Sequence, residues 1–461
     1  MNYKVKLGEK LAFAMGDVGC NFIWTVVGSF LTMYYTDSVG ITAGVVGTIM
    51  LVTRILDGFS DLGMGAIIDR THTRWGKARP WILRTAPLMA IGLILLFSVP
   101  SSLSDTGKIV YAVITYIILA VFIYTACNLA YSTLLSLVTG RQDDRTSMTS
   151  IRYIFVYAVM ILISYVTTPM VNEFGWTGMS VIFGIAGMIC LLITFFGTKE
   201  RNTEESKDSD STVPVLESIR LLFQNKYFIL VALLFVVNFT AMGLTGGVGI
   251  YFAKDFLGND GLFGTMTLAN YIPIMIGLFV FPTLAGKFGK WKCMVVGYIL
   301  EIAGYAIILI APTSFPMVLL GLAVRGIGHI PNSAGIFAMV ADVADYGEWK
   351  TGVRNEGLTY SATSFGMKVG TGLGSAIVGW GLALGNYVGT EAVKSASALE
   401  SIKALYTYVP LIVTAIGLVI LLNANIDKIY PRIQKDLEDR RAKKNSRLLQ
   451  IQPGETVRKL G

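Results

Sequence analysis

RILDGFSDLGMGAIIDRTHTRWGKARPW, residues 54–81, opens inside an apolar run and closes in a basic loop. The run, 41–69, is long enough to cross a bilayer, which takes about 20 residues. Within it Arg54, Asp57, Ser60 and Asp61 stand three and four residues apart, so a helix places them on one face. Ionisable groups at membrane depth are costly, and where they occur they point into a bundle and serve a function. The loop that follows carries Arg70, Arg74, Lys77 and Arg79, the kind of basic flank found on the cytoplasmic side of a span. The stretch therefore specifies a membrane helix with a polar inner face.

Outward from there the pattern repeats. Apolar runs occupy 11–35, 41–69, 80–100, 109–139, 149–172 and 177–197, then 226–253, 262–285, 293–312, 315–341, 357–384 and 405–424. They predict an all-α integral membrane protein of about twelve transmembrane helices. Composition agrees, with 53% hydrophobic and only 15% charged residues over 461 positions, against about 25% charged in soluble domains. The formal charge of +8 does not imply a nucleic-acid partner, because the basic residues lie in short loops between apolar runs. The first run is too long for a cleavable signal peptide, is interrupted by Asp17 and has no small-residue cleavage site, so it is expected to stay as helix one. Cys20, Cys127, Cys190 and Cys293 stand singly, without metal-ligand spacing or the look of a disulfide framework. Cys20 and Cys127 read as small apolar packing residues.

Between the sixth and seventh runs lies a polar stretch containing KERNTEESKDSDST, which predicts a flexible linker. The chain then divides into an N-terminal six-helix bundle (1–197), a cytoplasmic linker (198–225), a C-terminal six-helix bundle (226–425) and a cytoplasmic tail (426–461). The tail, with DLEDRRAKKNSRLL, has no apolar run for another span. One side of the membrane receives the 70–79 loop, Arg141, Arg145, the linker, Lys287, Lys290, Lys292, Lys350 and the tail. The other receives only Lys108, Lys254, Lys394 and Lys403. This bias predicts a multi-pass protein of the inner or plasma membrane with both termini cytoplasmic. RTHTRWGKARPWIL (70–83) and GKFGKWKCMV (286–295) echo each other after the second and eighth runs. Such echoes mark transporters built from repeats, with a binding site near the midplane.

Asp57 and Asp61, one turn apart with Ser60 between, make an oxygen-rich pocket suited to a hard cation. Equally, the two carboxylates can share a proton, and the plainer alternative is a structural ion pair with Arg54. Helix one adds Asp17 and Asn21, one turn apart, then Trp24; helix four adds Tyr124, Thr125 and Asn128; helix five adds Arg152; helix eleven adds Thr363, Ser364 and Lys368. Acids, amides and an aromatic ring drawn from four helices suit a polyhydroxylated solute. Taken singly, Asn21, Thr125 and Asn128 read as well as partners in interhelical hydrogen bonds. Glu301 in helix nine and Arg325 in helix ten are expected to pair and hold those helices together. The glycines of GLTGGVG and GTGLGS read as close-packing or flexing positions. With two histidines (His72 and His329), no metal cluster, no nucleophile motif and no large polar domain, the chain does not read as an enzyme.

Together with GDVGCNF and MYYTD in helix one and YGEWKTGVRNEGLTYSATSFGMKVGTGLGSA (346–376), the 54–81 stretch resembles the glycoside-pentoside-hexuronide:cation symporter family. The resemblance runs in order from Lys10 to about Asn425. It implies a major facilitator fold, two six-helix halves rocking about a midplane site. The implied function is secondary active uptake of a glycoside, pentoside or hexuronide with a proton or sodium ion. The implied cation site is Asp57 and Asp61 with Thr125 and the position of Ser60; metal ligation by Asp57 and Asp61 applies only if the ion is sodium. The implied sugar site is Asn21, Asn128, Arg152, Ser364 and Lys368, with Tyr124 nearby and Asp17 on the same face of helix one. Arg152 is expected to contact substrate directly, and Lys368 to reach the helix-two acids and link ion to sugar occupancy. The melibiose carrier of that family has an asparagine at the position of Ser60, aspartates at Asn21 and Asn128, and a tryptophan at Ser132. These departures leave proton coupling open and disfavour melibiose; the GDxxxNF pattern looks more like the glucuronide, xyloside and β-glucoside branch. No cofactor is implied. The implied partners are a small sugar or glycoside, the coupling cation and the lipid bilayer, and no nucleic acid. A lysolipid or amphiphile transporter of the same fold is the alternative, and it would need an apolar cleft open to the bilayer.

Overall fold

The computed structural model describes residues 4–201, 220–352 and 356–451, so most of the 198–225 linker and the last part of the tail lie outside the described residues. At membrane depth no water is present to bond the backbone, so each crossing must satisfy its own N–H and C=O groups, and the chain does this with helices. The first are α1 (Leu7–Val39), α2 (Ala43–Asp69), α3 (Arg79–Leu96) and α4 (Asp105–Val138). The run Gln142–Gly197 follows, and Gly175, at φ 71 and ψ 175, breaks it into α5 (142–174) and α6 (176–197). That backbone region is open essentially to glycine alone, so one residue separates two crossings. The second half comprises α7 (Lys226–Phe256), α8 (Leu262–Phe288), α9 (Lys290–Ile310), α10 (Phe315–Thr351), α11 (Glu356–Leu384) and α12 (Ala396–Asn423). A last helix, α13 (Tyr430–Ile451), lies beyond them. Among the described residues nine helical runs are long and apolar enough to cross a membrane. The α5–α6 run crosses twice, and the more polar α10 and α11 complete the set that the apolar runs predict.

Several helices outrun those apolar runs, and in three of them a polar contact holds the extra turns. The fifth begins at Gln142 rather than 149, where Asp144 accepts the Val5 backbone N–H at 3.2 Å and pairs with Lys10 at 2.8 Å. The tenth continues to Thr351 rather than 341. There Lys290 pairs with Asp342, and Asn225 donates to the Val343 carbonyl at 3.1 Å. The other end of the Asn225 amide caps α7, accepting from the Tyr227 and Phe228 N–H groups at 3.1 Å each. The twelfth begins at Ala396 behind a Ser395 cap and bends at Thr407. α13 is not a span: it lies against α10, with Ile433 and Leu437 buried and the Trp349 indole donating to Asp436 at 2.8 Å.

The echo between 70–83 and 286–295 has a structural counterpart. Glu200, just past α6, accepts the backbone N–H groups of Lys77, Ala78 and Arg79 at 2.7, 2.9 and 2.9 Å, at the start of α3. Asp427, just past α12, accepts the Trp291 N–H at 3.0 Å, at the start of α9. In each half an acid following the sixth helix satisfies the unpaired N–H donors of the third, where the helix dipole favours an anion. Gly76, at φ 106, makes the first approach geometrically open, since a Cβ there would overlap the Glu200 carboxylate.

The two halves press together at the end of the bundle away from the termini. α2 meets α11 through Gly47 and Gly379, where a Cβ on Gly379 would stand 2.6 Å from the Gly47 Cα. Beside them Lys254 pairs with Asp37 at 2.5 Å, Tyr387 donates to Asp37 and Asp255 at 3.1 and 2.9 Å, and Thr36 meets the Tyr251 hydroxyl at 2.8 Å. Midway along the bundle, residues of both halves line one cavity of about 910 Å³.

Candidate functional site

The polar face of α2 forms one edge of that cavity. Asp57 is 1% exposed. Its Oδ1 accepts the Thr125 hydroxyl of α4 at 2.6 Å and the Lys368 ammonium of α11 at 2.7 Å. Lys368 also reaches Asp61 Oδ1 at 2.7 Å and the Asp57 carbonyl at 2.9 Å. Arg54 stands 3.7 Å from the second Asp57 oxygen, Oδ2, which is buried without a hydrogen-bond partner among the described residues. Two carboxylates thus face one ammonium and one guanidinium, so acidic and basic groups are matched in number. Such matching is what lets ionisable groups stand at this depth. The cluster also joins the halves, because Lys368 belongs to the second and the acids to the first. Ser60 touches it edge-on: its hydroxyl donates to the Asp57 carbonyl at 2.9 Å and lies 3.3 Å from the Thr125 hydroxyl.

The wall of α1, α4 and α5 carries the remaining polar groups of the first half. Arg152 pairs with Asp17 at 2.6 Å, and the Asn21 amide donates to the same Asp17 carboxylate at 3.2 Å. Asp17 is buried and stands behind Arg152 and Asn21, which line the cavity. It fixes their orientation while leaving guanidinium donors for a solute. Trp24 stacks on Tyr124 with ring centroids 4.2 Å apart, and the Asn128 amide donates to the Tyr124 hydroxyl at 3.3 Å. On α11, Ser364 lines the cavity one turn before Lys368.

Sequence reasoning missed one connection. The Arg54 guanidinium lies 3.7 Å over the Trp24 ring while also facing Asp57. It therefore ties the aromatic wall to the acid cluster, a cation–π contact strengthened by exclusion of water. Arg54 was visible three residues before Asp57, but its reach to helix one depends on how α1 and α2 cross.

The expected Glu301–Arg325 pair is not what holds α9 to α10. Glu301 instead bonds to His329 Nδ1 and the Asn332 amide, at 3.0 Å each. Arg325 donates to the Thr245 hydroxyl at 3.4 Å and lies 5.2 Å over the Tyr305 ring. The reason is register. Gly328 packs at Glu301 and Gly304 packs at Arg325, so the two charges sit at different levels of the antiparallel pair. Glu301, Arg325 and His329 all line the same cavity as Arg152.

With this geometry in hand, comparison with known proteins is direct. The family described as MFS/sugar transport protein matches residues 12–428. The chain is 33% identical over 454 residues to the isoprimeverose transporter of Lactiplantibacillus pentosus, covering 96% of this chain and 93% of that one. It is 33% identical over 416 residues to an inner membrane symporter of Escherichia coli, covering 88% of each. A solved bacterial homologue of the human lysosomal transporter Spinster, inward-facing and unoccupied, aligns with a TM-score of 0.68 at 12% identity, over 93% of this chain and 97% of that one. That likeness establishes the shared fold.

Proposed function

Because the chain belongs to the MFS/sugar transport protein family, we propose that it is a secondary active symporter taking up a glycoside, pentoside or hexuronide with a proton or sodium ion. The observation that carries the coupling is the Lys368 ammonium held 2.7 Å from both Asp57 and Asp61. A tethered cation of one half there fills the place of a mobile cation between the acids of the other. An arriving proton or sodium ion competes with the ammonium, and Thr125 supplies a further oxygen. The displaced Lys368 is then available to the solute in the adjoining cavity. Ion and solute therefore favour each other, and linkage requires the factor to be equal in both directions. Arg152, braced by Asp17, offers paired N–H donors that fit vicinal hydroxyls or a uronate carboxylate. Tyr124, stacked on Trp24, offers aromatic surface of the kind that the apolar side of a sugar needs.

The Lys/Arg bias supports termini on the cytoplasmic side, with the packed end of the bundle facing outward. Alternating access then consists of opening that end while the other closes. Asp57→Asn supplies the test. In vesicles with an imposed ion gradient, the variant is expected to insert normally and to lose concentrative uptake. Undiminished accumulation would end the assignment of the acid pair to coupling.

A further inference from the structure

The cavity wall formed by α8, α9 and α10 carries polar groups that the coupling scheme does not use. Asn270 of α8 lines the cavity at 8% exposure, and its side-chain oxygen has no hydrogen-bond partner among the described residues. A buried acceptor left unmet is a standing cost, which a ligand donor would relieve once the amide turns toward the cavity. On α9, Glu301 is 6% exposed and fixed by His329 and Asn332, at 3.0 Å each. With Nδ1 engaged by that carboxylate, His329 keeps Nε2 for another partner. One turn away on α10, Arg325 has, among the described residues, one hydrogen bond, at 3.4 Å to Thr245, for a group with five N–H donors. Tyr271 and Tyr305 line the same wall.

We propose that Asn270, Glu301, Arg325 and His329 form a second sugar subsite, so that the carried glycoside has at least two polar units. One unit lies against Arg152 in the first half and the other against this wall in the second. The inference rests on the glycoside reading above and narrows its substrate class. An amide, a carboxylate-backed imidazole, a guanidinium and two phenol rings together supply donors, acceptors and ring faces, which is what a sugar ring asks of a site. The cavity, about 910 Å³, stands near the top of the range of about 300–1,000 Å³ for small-molecule sites. The alternative reading of the Glu301–His329 pair, a second proton site, leaves the unmet Asn270 oxygen and the aromatic flank without a role.

Titration calorimetry on the purified full-length chain separates these readings. The probes are three matched pairs: methyl β-xyloside with xylobiose, methyl β-glucoside with cellobiose, and methyl β-glucuronide with a glucuronosyl disaccharide. Wild type is expected to bind the two-ring member of at least one pair about tenfold more tightly than its one-ring partner. Asn270→Ala, His329→Gln and Glu301→Gln should each reduce that preference by about fivefold or more. The first two keep the test decisive if Glu301→Gln fails to fold. An unchanged preference, or equal loss for both members of a pair, would overturn the subsite and leave the glycoside reading standing. So would a change confined to the pH dependence of binding, which would mark a proton site instead. If wild type bound none of the six, the glycoside reading and the subsite would fall together.

Discussion

Arg152 and Lys368 are both cations on the cavity wall, yet their surroundings divide them. Arg152 is paired with Asp17 at 2.6 Å on the solute side, whereas Lys368 lies between two acids at 2.7 Å from each. A guanidinium grips planar or vicinal oxygens with two donors, and an ammonium does not. Arg152→Lys is therefore expected to weaken sugar binding by about 2 kcal/mol, roughly thirtyfold, although the charge is kept. Lys368→Gln should retain equilibrium exchange while losing uphill transport. Binding isotherms at several ion concentrations decide both: normal affinity in Arg152→Lys, or full ion-linked affinity in Lys368→Gln, would break the division. Asp57, Asp61, Arg152 and Lys368 were legible because charge at membrane depth announces itself in any hydropathy trace. The partners of Glu301 were not, because whether it meets Arg325 or His329 depends on a one-turn register that no single helix specifies.

At the level of elements, the crossings were readable from apolar runs, and their ends were not. Ends are set by acids and amides arriving from distant parts of the chain, such as Asn225 bonding Val343 and Asp144 bonding Val5. The two acid clamps at the starts of α3 and α9 carry a testable energy. Glu200 answers three backbone N–H groups and Asp427 one. Charge-assisted bonds at a helix N-terminus contribute about 1–2 kcal/mol when partly buried. Glu200→Ala should then lower the melting temperature of the purified chain by a few degrees, and Asp427→Ala by less. If both variants melted with wild type, the clamps would be geometric coincidences rather than supports of the repeat. The short loop echo in the sequence pointed to this symmetry, but the acids themselves lie outside the echoing segments.

For the molecule as a whole, the contacts at the packed end decide which face of the cavity is shut. Lys254 pairs with Asp37 across the halves at 2.5 Å, and Tyr387 donates to both Asp37 and Asp255. Burial first, then the neighbouring Tyr251 and the two carboxylates, push the Tyr387 phenol well above its ordinary value. It stays a neutral donor throughout the physiological range, so this end is not released by mild alkali. Alternating access requires these bonds to break once per cycle, and their strength biases the population toward closure. Lys254 is about one-third exposed, at 35%, which limits its ion pair to about 1 kcal/mol. Lys254→Ala combined with Tyr387→Phe should therefore shift the equilibrium toward opening at this end by about three- to tenfold. The shift can be read from a cysteine placed at Met242, which lines the cavity. A membrane-impermeant thiol reagent added from the outer side should label it several-fold faster in the double variant, and added solute should change that rate. Labelling unchanged from wild type would mean that the glycine contact of α2 with α11, rather than these side chains, holds the end shut.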